Sequence, residues 1–220
     1  YTVDTVAPTK TISGLALSAD TGSSGSDFIT NTAAQTITAT LSSTLGTDKL
    51  YGSLDNGASW SDISSKVSGT SVSWNGVTLS GSNTIMMEVR DAAGNAGTTK
   101  SQAYVLDTTA PTKPTITSVG GSDNIVSSQS GDNDVVGTAD ANSVVTIKSG
   151  VTTLGTTTAD GSGNFTYTLT AANLTTVGQG SDTITASQTD VAGNTATSNS
   201  ATYTVDTVAP TKTISGLALS

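Results

Sequence analysis

The stretch DAAGNAGTTKSQAYVLD, residues Asp91–Asp107, returns at Asp190–Asp206 as DVAGNTATSNSATYTVD, with no gap and an offset of 99 residues. Each copy opens with Asp-x-Ala-Gly-Asn, in which the glycine supplies a turn conformation that other residues resist. Each copy closes with a short alternating segment, as expected for a strand that has one buried face. The two stretches therefore predict two repeats that end in the same turn and the same last strand.

A boundary phrase joins the repeats and occurs three times. Tyr1–Ser18 reads YTVDTVAPTKTISGLALS and returns unchanged at Tyr203–Ser220, while Tyr104–Lys113 carries the shorter form YVLDTTAPTK. The proline of this phrase fixes φ and lacks a backbone donor, so the strand ladder stops there and the linker is short and stiff. Repetition at intervals of about 100 residues predicts a tandem array.

The repeats set the domain boundaries that we expect. Residues 1–8 are the end of a preceding repeat and its linker, 9–107 form domain 1, 108–206 form domain 2, and 207–220 begin the next repeat. That last segment has no partner strands of its own, so we expect it to be disordered or borrowed by a neighbouring molecule.

Each domain shows about seven short strands separated by turn signals, which is the pattern of a β-sandwich. Gln35–Leu41 alternates as QTITATL, Thr84–Arg90 reads TIMMEVR, and Asp160–Asn164 reads DGSGN, a hairpin turn. Thr, Ser, Gly, Ala and Val dominate, and no long apolar helical stripe is present. The sequence therefore predicts an all-β fold of two tandem immunoglobulin-like β-sandwich domains.

The composition excludes several classes of function. The chain has no Cys and no His, which removes disulfides, thiolate sites, the usual zinc ligands and the commonest general base. Its formal net charge of −9 argues against nucleic acid as a partner. No apolar stretch is long enough to span a membrane, so we expect no membrane insertion. We therefore expect a protein that is not an enzyme.

The acidic residues are sixteen Asp and a single Glu, Glu88. Asp favours turns and hard-cation sites, and Ca²⁺ takes about six to eight oxygen ligands. In a sandwich of this type the loop before the last strand faces the linker that enters the domain, which predicts Ca²⁺ at each junction. The candidate ligands are Asp4, Asp91 and Asn95 at one junction, Asp107, Asp190 and Asn194 at the next, and Asp206 at the third boundary phrase. The alternative is that these residues form ordinary turns and strand ends.

A second acidic loop, DTGSSGSD, is expected at the opposite end of domain 1, close to the outgoing linker at Asp107. Its first and last residues, Asp20 and Asp27, are candidate ligands of a second Ca²⁺ site. A glycine-rich solvated loop is the alternative interpretation. The comparable residues of domain 2 are Asp123, Asp132 and Asp134.

The segment SLDNGASW fits the pattern S-x-D-x-G-x-[ST]-W and resembles the Asp-box of sialidases. In those proteins the motif is a structural hairpin turn that lies away from the catalytic centre. With Arg90 as its single Arg, this chain lacks the arginine cluster that such enzymes need. We therefore interpret Ser53, Asp55 and Trp60 as turn and core residues.

The two tryptophans distinguish two classes of function. We expect Trp60 and Trp74 in the core, because few large side chains are available to fill it. If either ring were an exposed platform, it could stack on a sugar. The alternative function is therefore a carbohydrate- or surface-polymer-binding β-sandwich module.

The motifs DTxAPT and DxAGN and the Asp-rich first loop together resemble the bacterial immunoglobulin-like repeats of giant surface adhesins, including type I-secreted RTX adhesins. Gly137–Ile147 (GTADANSVVTI) and Thr158–Leu169 (TADGSGNFTYTL) are especially similar to such repeats. The resemblance implies structural extender repeats that project a distal binding region from the cell. It also implies Ca²⁺ at the junctions, held by the ligand sets given above.

The resemblance further implies a secreted, extracellular protein on the bacterial cell surface. Its expected partners are neighbouring, similar repeats of the same chain, and we expect a monomer that binds no nucleic acid. The expected mechanism is physical: Ca²⁺ would bridge clustered Asp groups that otherwise repel each other, and the linker would then hold one angle.

Overall fold

A computed structural model of the protein describes residues 3–129, 131–209 and 211. The chain separates into two compact units. Among the described residues, unit 1 comprises the chain up to Ala110 together with the loop Thr189–Asn194, and unit 2 comprises Pro111–Gln188 and the chain from Thr195 onward. The expected start of a third repeat, residues 207–220, lies mostly outside the described residues and stays a prediction.

Unit 1 contains nine strands in its described residues. In chain order they are β1 Ile12–Leu17, β2 Ile29–Thr30, β3 Ala34–Leu41, β4 Lys49–Ser53, β5 Ser61–Asp62, β6 Val67–Ser68, β7 Ser71–Thr78, β8 Ser82–Arg90 and β9 Lys100–Leu106. A 3-10 turn, Ser64–Lys66, lies between β5 and β6. Buried and exposed residues alternate along β3, so this strand presents one face to the core.

The strands of unit 1 form two sheets that enclose one core. The first sheet has the order β1-β3-β7-β6, and the second has the order β2-β9-β8-β4-β5. All these pairings are antiparallel except that of β2, which runs parallel to β9. Ile37 from the first sheet and Leu50, Ile85 and Val89 from the second are fully buried in the core. The arrangement is a β-sandwich.

Unit 2 repeats this architecture with different strand lengths. Its strands are β10 Thr115–Val119, β11 Ile125–Val126, β12 Asp134–Thr138, β13 Val144–Ser149, β14 Thr152–Thr158, β15 Asn164–Thr168, β16 Gly180–Thr189, β17 Thr195–Thr197 and β18 Ala201–Val205. One sheet has the order β10-β12-β15, and the other has the order β11-β18-β16-β13-β14, with β17 beside β16. The core includes Ile147, Phe165 and Ile184. The predicted all-β fold with two tandem sandwiches is thus confirmed.

A short helix, α1 Ala171–Val177, connects β15 to β16 and was not predicted from the sequence. Thr170 caps it: its hydroxyl accepts from the Asn173 amide, and the Asn173 side chain accepts from the Thr170 amide. Leu174 is its one buried residue, so the helix shows no apolar stripe that a periodicity argument could detect. No helix in the described part of the chain is long and apolar enough to cross a membrane.

Two equivalent tyrosines on the last strands give a matched test of stability. Tyr104 is buried, and its hydroxyl lies 3.2 Å from the Leu54 carbonyl oxygen and 3.3 Å from that of Ser80. Tyr203 is equally buried, but its hydroxyl makes no hydrogen bond of normal geometry among the described residues; burial raises its pKa, and the nearby Ser149 side chain opposes that shift. A satisfied buried hydroxyl stabilises the fold, whereas an unsatisfied one costs free energy.

We therefore expect Tyr104→Phe to lower the free energy of unfolding of unit 1 by about 1–2 kcal/mol. We expect Tyr203→Phe to leave unit 2 unchanged or slightly more stable. Urea titrations of the two variants, followed by circular dichroism, would measure both. Equal losses in the two variants would contradict the assigned difference.

Candidate functional site

The loop Asp91–Asn95 is closed by its own first residue. The Asp91 carboxylate accepts hydrogen bonds from the backbone amides of Ala93 and Asn95, both at 2.9 Å, and from the Asn95 side-chain amide at 2.8 Å. Gly94 takes a φ of 93°, which closes the turn. The bond from the Asn95 side chain is the largest cause of a lowered pKa at Asp91. The carboxylate is therefore charged, and both of its oxygens accept hydrogen bonds.

The loop Asp190–Asn194 has the same internal geometry. The Asp190 carboxylate accepts from the amides of Ala192 and Asn194 at 3.0 and 2.9 Å, and from the Asn194 side chain at 2.9 Å. Burial is the largest single influence and would raise the pKa of Asp190, but the hydrogen bonds from Asn194 and its neighbours together lower it. The two Asp-x-Ala-Gly-Asn loops are thus one structural element used twice.

A third turn shows which part of this geometry is general. Asp160, in the hairpin between β14 and β15, accepts from the amides of Ser162 and Asn164 at 2.8 and 2.9 Å, and these bonds lower its pKa. This turn lies within the hairpin and not beside a boundary phrase. The carboxylate pattern is therefore that of a common Asx turn and does not by itself indicate a metal site.

The two Asp-x-Ala-Gly-Asn loops differ from that hairpin in reaching a linker. The Asn95 side-chain amide donates to the backbone carbonyl of Asp4 at 3.2 Å, and that of Asn194 donates to the backbone carbonyl of Asp107 at 2.8 Å. All four residues belong to unit 1. The structure therefore brings each predicted loop to the boundary Asp that the sequence paired with it, and a direct hydrogen bond makes the contact.

The three boundary Asp residues organise the linkers themselves. Asp4, Asp107 and Asp206 each accept a hydrogen bond from the amide two residues further on, at 3.0, 2.9 and 3.1 Å. Among residues 3–129, 131–209 and 211, no group of three or more acidic side chains gathers in a way that could hold a metal ion. The junction residues thus lie together as hydrogen-bonded turns and not as a preformed carboxylate cage.

The first loop of unit 1 contains an unsatisfied carboxylate oxygen. Asp20 accepts from the Phe28 amide at 3.0 Å through Oδ2, whereas its Oδ1 is buried and has no hydrogen-bond partner in the part of the chain described. Phe28 has a φ of 63°, a conformation that L-residues with large side chains rarely adopt. Asp27 accepts from the Ile29 amide at 3.0 Å. A buried, unpaired carboxylate oxygen is costly, so Asp20 is the acidic residue here that most lacks a partner.

The backbone ties this first loop to the outgoing linker. The Thr30 carbonyl accepts from the Asp107 amide at 2.9 Å, and the Thr30 hydroxyl donates to the Ala19 carbonyl at 2.7 Å. In unit 2 the Val126 carbonyl accepts from the Asp206 amide, also at 2.9 Å. These matched bonds define the outgoing end of each unit.

Within unit 1, the first loop also contacts the loop 189–194 of the same unit. The Thr21 hydroxyl donates to the Ala192 carbonyl at 2.6 Å, and the Ser23 amide donates to the Val191 carbonyl at 3.3 Å. Gly22 lies so close that a Cβ built on it would stand 1.9 Å from the Val191 oxygen. Ala192 is completely buried. The contact therefore needs both a glycine and a hydroxyl at the tip of the first loop.

The Asp-box segment is a structural turn, as the sequence predicted. The Ser53 hydroxyl donates to Asp55 at 2.7 Å and accepts from the Gly57 amide at 2.9 Å. The Ser59 amide and hydroxyl also donate to Asp55. These bonds, that from Ser53 first, lower the pKa of Asp55 to about 2. Asp55 is thus an acceptor at the centre of the turn.

The two tryptophans occupy different environments. Trp74 is half-buried and packs against the core of unit 1, as expected. The expectation was wrong for Trp60, because the Asp-box turn places this residue outside the core. The Arg90 guanidinium lies 5.4 Å from the Trp60 ring centroid and 4.4 Å from that of Tyr51. Both tryptophans are therefore half-buried, Trp74 against the core and Trp60 beside Arg90.

Sequence reasoning missed an ion pair between the single Glu and the single Arg of the chain. Glu88 is 7% exposed, and its Oε1 lies 2.7 Å from Arg90 Nη2. The Thr99 hydroxyl donates to Glu88 Oε2 at 2.9 Å. Residues i and i+2 of a strand lie on the same face, so Glu-x-Arg within TIMMEVR was a signal for this pair.

Comparison with known proteins identifies the fold family. The profile of the bacterial Ig-like domain family matches residues 5–108 and again 111–207. No curated protein sequence matches the chain significantly.

Three solved structures resemble the chain at low identity. A BSP domain of a biofilm-associated protein is 16% identical, with a TM-score of 0.32, over 90% of this chain and 30% of its own. A 1.5-MDa bacterial ice-binding adhesin is 22% identical, with a TM-score of 0.40, over 91% of this chain and 66% of its own. A Ca²⁺-stabilised ice-binding adhesin of an Antarctic bacterium is 22% identical, with a TM-score of 0.45, over 94% of this chain and 51% of its own. The chain thus spans between 30% and 66% of these structures.

Proposed function

Because the chain belongs to the bacterial Ig-like domain family, we propose that its two units are structural extender repeats of a secreted adhesin on the bacterial cell surface. The repeats hold a distal binding region away from the cell, and their partners are neighbouring repeats of the same chain. The role is mechanical and not catalytic. Extension requires that each linker keep one angle, so the proposal depends on what holds the linkers.

The observation that carries the proposal is the pair of hydrogen bonds from Asn95 to Asp4 and from Asn194 to Asp107. Each bond joins the loop before a last strand to the backbone of a boundary phrase. The proline of that phrase already restricts its own φ, and the Asx turn formed by the Asp restricts the residues between that Asp and the proline. A linker restrained in these three ways supports a stiff array.

We also propose that Ca²⁺ adds to this rigidity, with Asp20 as the best-supported ligand. Its buried Oδ1 has no protein partner among the described residues, and an oxygen of this kind is a ligand that Ca²⁺ binds. Ca²⁺ would supply positive charge beside this buried carboxylate. The remaining proposed ligands are those of the sequence prediction: Asp4, Asp27, Asp91, Asn95, Asp107, Asp190, Asn194 and Asp206.

Small-angle X-ray scattering and thermal melting would test both parts of the proposal. The protein would be measured in about 10 mM Ca²⁺ and in excess EGTA, since extracellular Ca²⁺ modules bind at about 10⁻⁴–10⁻³ M. Binding to the folded state alone would then add about 1.4–2.7 kcal/mol, which corresponds to a rise of several degrees in melting temperature. An unchanged melting temperature would refute the Ca²⁺ site, whereas a compact particle in both buffers would refute the extender.

Asp20→Asn separates the proposed ligand from the other acidic residues. We expect this variant to lose most of the Ca²⁺-dependent rise, because an amide oxygen carries no charge for the cation. Asp160→Asn is the control, since Asp160 has the same turn geometry but lies in the hairpin between β14 and β15. If both variants kept the full Ca²⁺ response, Asp20 would not be a ligand.

A further inference from the structure

Two equivalent alanines in the Asp-x-Ala-Gly-Asn loops differ in burial. Ala192 is completely buried, and Thr21 and Gly22 lie against its loop. Ala93 holds the same position of the first loop, with the same hydrogen bond to its Asp, and is exposed. The internal geometry of the two loops is the same, so the difference comes from what covers them. The loop Asp91–Asn95 therefore exposes a surface that is buried in the equivalent loop 190–194.

The boundary phrases indicate which repeat would cover it. Residues 203–220 are identical to 1–18, whereas the phrase between the units, Tyr104–Lys113, differs in sequence. In an array that continues this repetition, the period is 202 residues and the segment after unit 2 begins as unit 1 does. In such an array every unit of the first type follows one of the second type. The exposed loop Asp91–Asn95 would then face the outgoing end of a unit like unit 2.

That outgoing end carries a groove of about 410 Å³. It lies beside the linker residue Thr207, whose amide donates to the Gln179 side chain at 3.1 Å. Leu174 of α1 forms part of its wall and is 8% exposed. The residues that line the groove are Ser128, Ala171, Leu174, Thr175, Gly178 and Gln179, together with Thr207.

We propose that this groove receives the loop Asp91–Asn95 of the following unit-1-type repeat, with Ala93 against Leu174. The inference rests on the proposed function, because it requires an array. Small apolar side chains at the tip of the loop complement an apolar wall, whereas the loop 189–194 meets the hydroxyl of Thr21 and the backbone of Gly22. The junction after a unit-2-type repeat would therefore be apolar.

A double-length chain tests the proposal, made of residues 1–202 followed by 1–220. Its join is native in sequence because 203–220 repeats 1–18. The protein has no Cys, so Ala93→Cys in a single copy gives one thiol, whose alkylation rate reports exposure. We expect the thiol of the second copy to react at least about tenfold more slowly than that of the first. Equal rates in the two copies would overturn the proposal.

Two neighbouring substitutions on α1 test whether the groove causes the slow alkylation in the second copy. Thr175 lines the groove and Thr176 does not, yet both are exposed and each donates to the carbonyl four residues earlier, at 2.9 Å. Thr175→Arg in the first copy should restore fast alkylation in the second, and Thr176→Arg should not. Protection that survives Thr175→Arg would overturn the assignment to this groove.

A melting experiment without cysteine gives an independent readout. Thr175→Arg should lower the melting temperature of the double-length chain but leave that of the 220-residue chain unchanged, since no following repeat is complete there. Equal effects in both chains would overturn the docking.

Scattering of the double-length chain tests the array separately. An extended particle in which Ala93→Cys is unprotected would refute docking in the groove but support the extender. A compact particle would refute the extender.

Discussion

Replacing Arg90 by Met is expected to lower the free energy of unfolding of unit 1 by about 3 kcal/mol. The substitution leaves the Glu88 carboxylate buried on the outer face of its sheet without its cation. It also removes the stacking of the guanidinium on Tyr51 and Trp60. Thr99 still donates to Glu88, which limits the loss. Chemical denaturation followed by tryptophan fluorescence would measure the change.

The exposed pair Lys49–Asp62 is the matched control on the neighbouring strands β4 and β5. Its side chains are 59% and 37% exposed, so Lys49→Met should cost no more than about 1 kcal/mol. The double variant Glu88→Gln with Arg90→Met should recover much of the loss, because no unpaired charge remains. If Arg90→Met cost no more than Lys49→Met, Glu88 would not depend on its partner.

Replacing Gly22 by Ala is expected to displace the loop 189–194 and to lower the free energy of unfolding of unit 1 by about 3 kcal/mol. The new Cβ would stand 1.9 Å from the Val191 carbonyl oxygen, and backbone cannot move aside as a flexible side chain can. A φ of 94° at Gly22 adds strain for any L-residue. Amide hydrogen exchange at Ser23, whose amide donates to Val191, should become faster.

Gly131→Ala separates the backbone strain from the close contact. Gly131 has a φ of 90°, but nothing lies within 4 Å of its added Cβ. This variant should therefore cost only about 1 kcal/mol and leave the exchange at Ser23 unchanged. Similar losses in the two variants would mean that Gly22 is required for its φ alone.

The fold was predictable because two independent regularities agreed. The period of the boundary phrase divided the chain, and alternation within each repeat identified strands such as Gln35–Leu41, which is observed as Ala34–Leu41. The helix α1 was missed for a physical reason. It is seven residues long and buries one side chain, Leu174, so a side-chain hydrogen bond at its cap and not an apolar stripe defines it.

The candidate site was predictable at the level of elements but not of atoms. Topology alone predicts that the Asp-x-Ala-Gly-Asn loop lies at the entering linker. In the structure the Asn95 side-chain amide donates to the Asp4 carbonyl. Which atoms meet depends on packing that no single-sequence pattern records. The unsatisfied Oδ1 of Asp20 is an example, because both carboxylate oxygens of Asp91 accept hydrogen bonds.

Two short parallel strand pairs have a consequence for how the chain carries tension. β2 runs parallel to β9, and β11 runs parallel to β18. A pull on the outgoing linker reaches β9 from its carboxyl end, and a pull that passes β1 reaches β2 from its amino end, so these two strands would be loaded in shear. Strands sheared in this way must lose their hydrogen bonds together, whereas a hairpin opens one bond at a time. Under tension, these strands of only two residues would thus resist as a unit, and their orientation would matter more than their length.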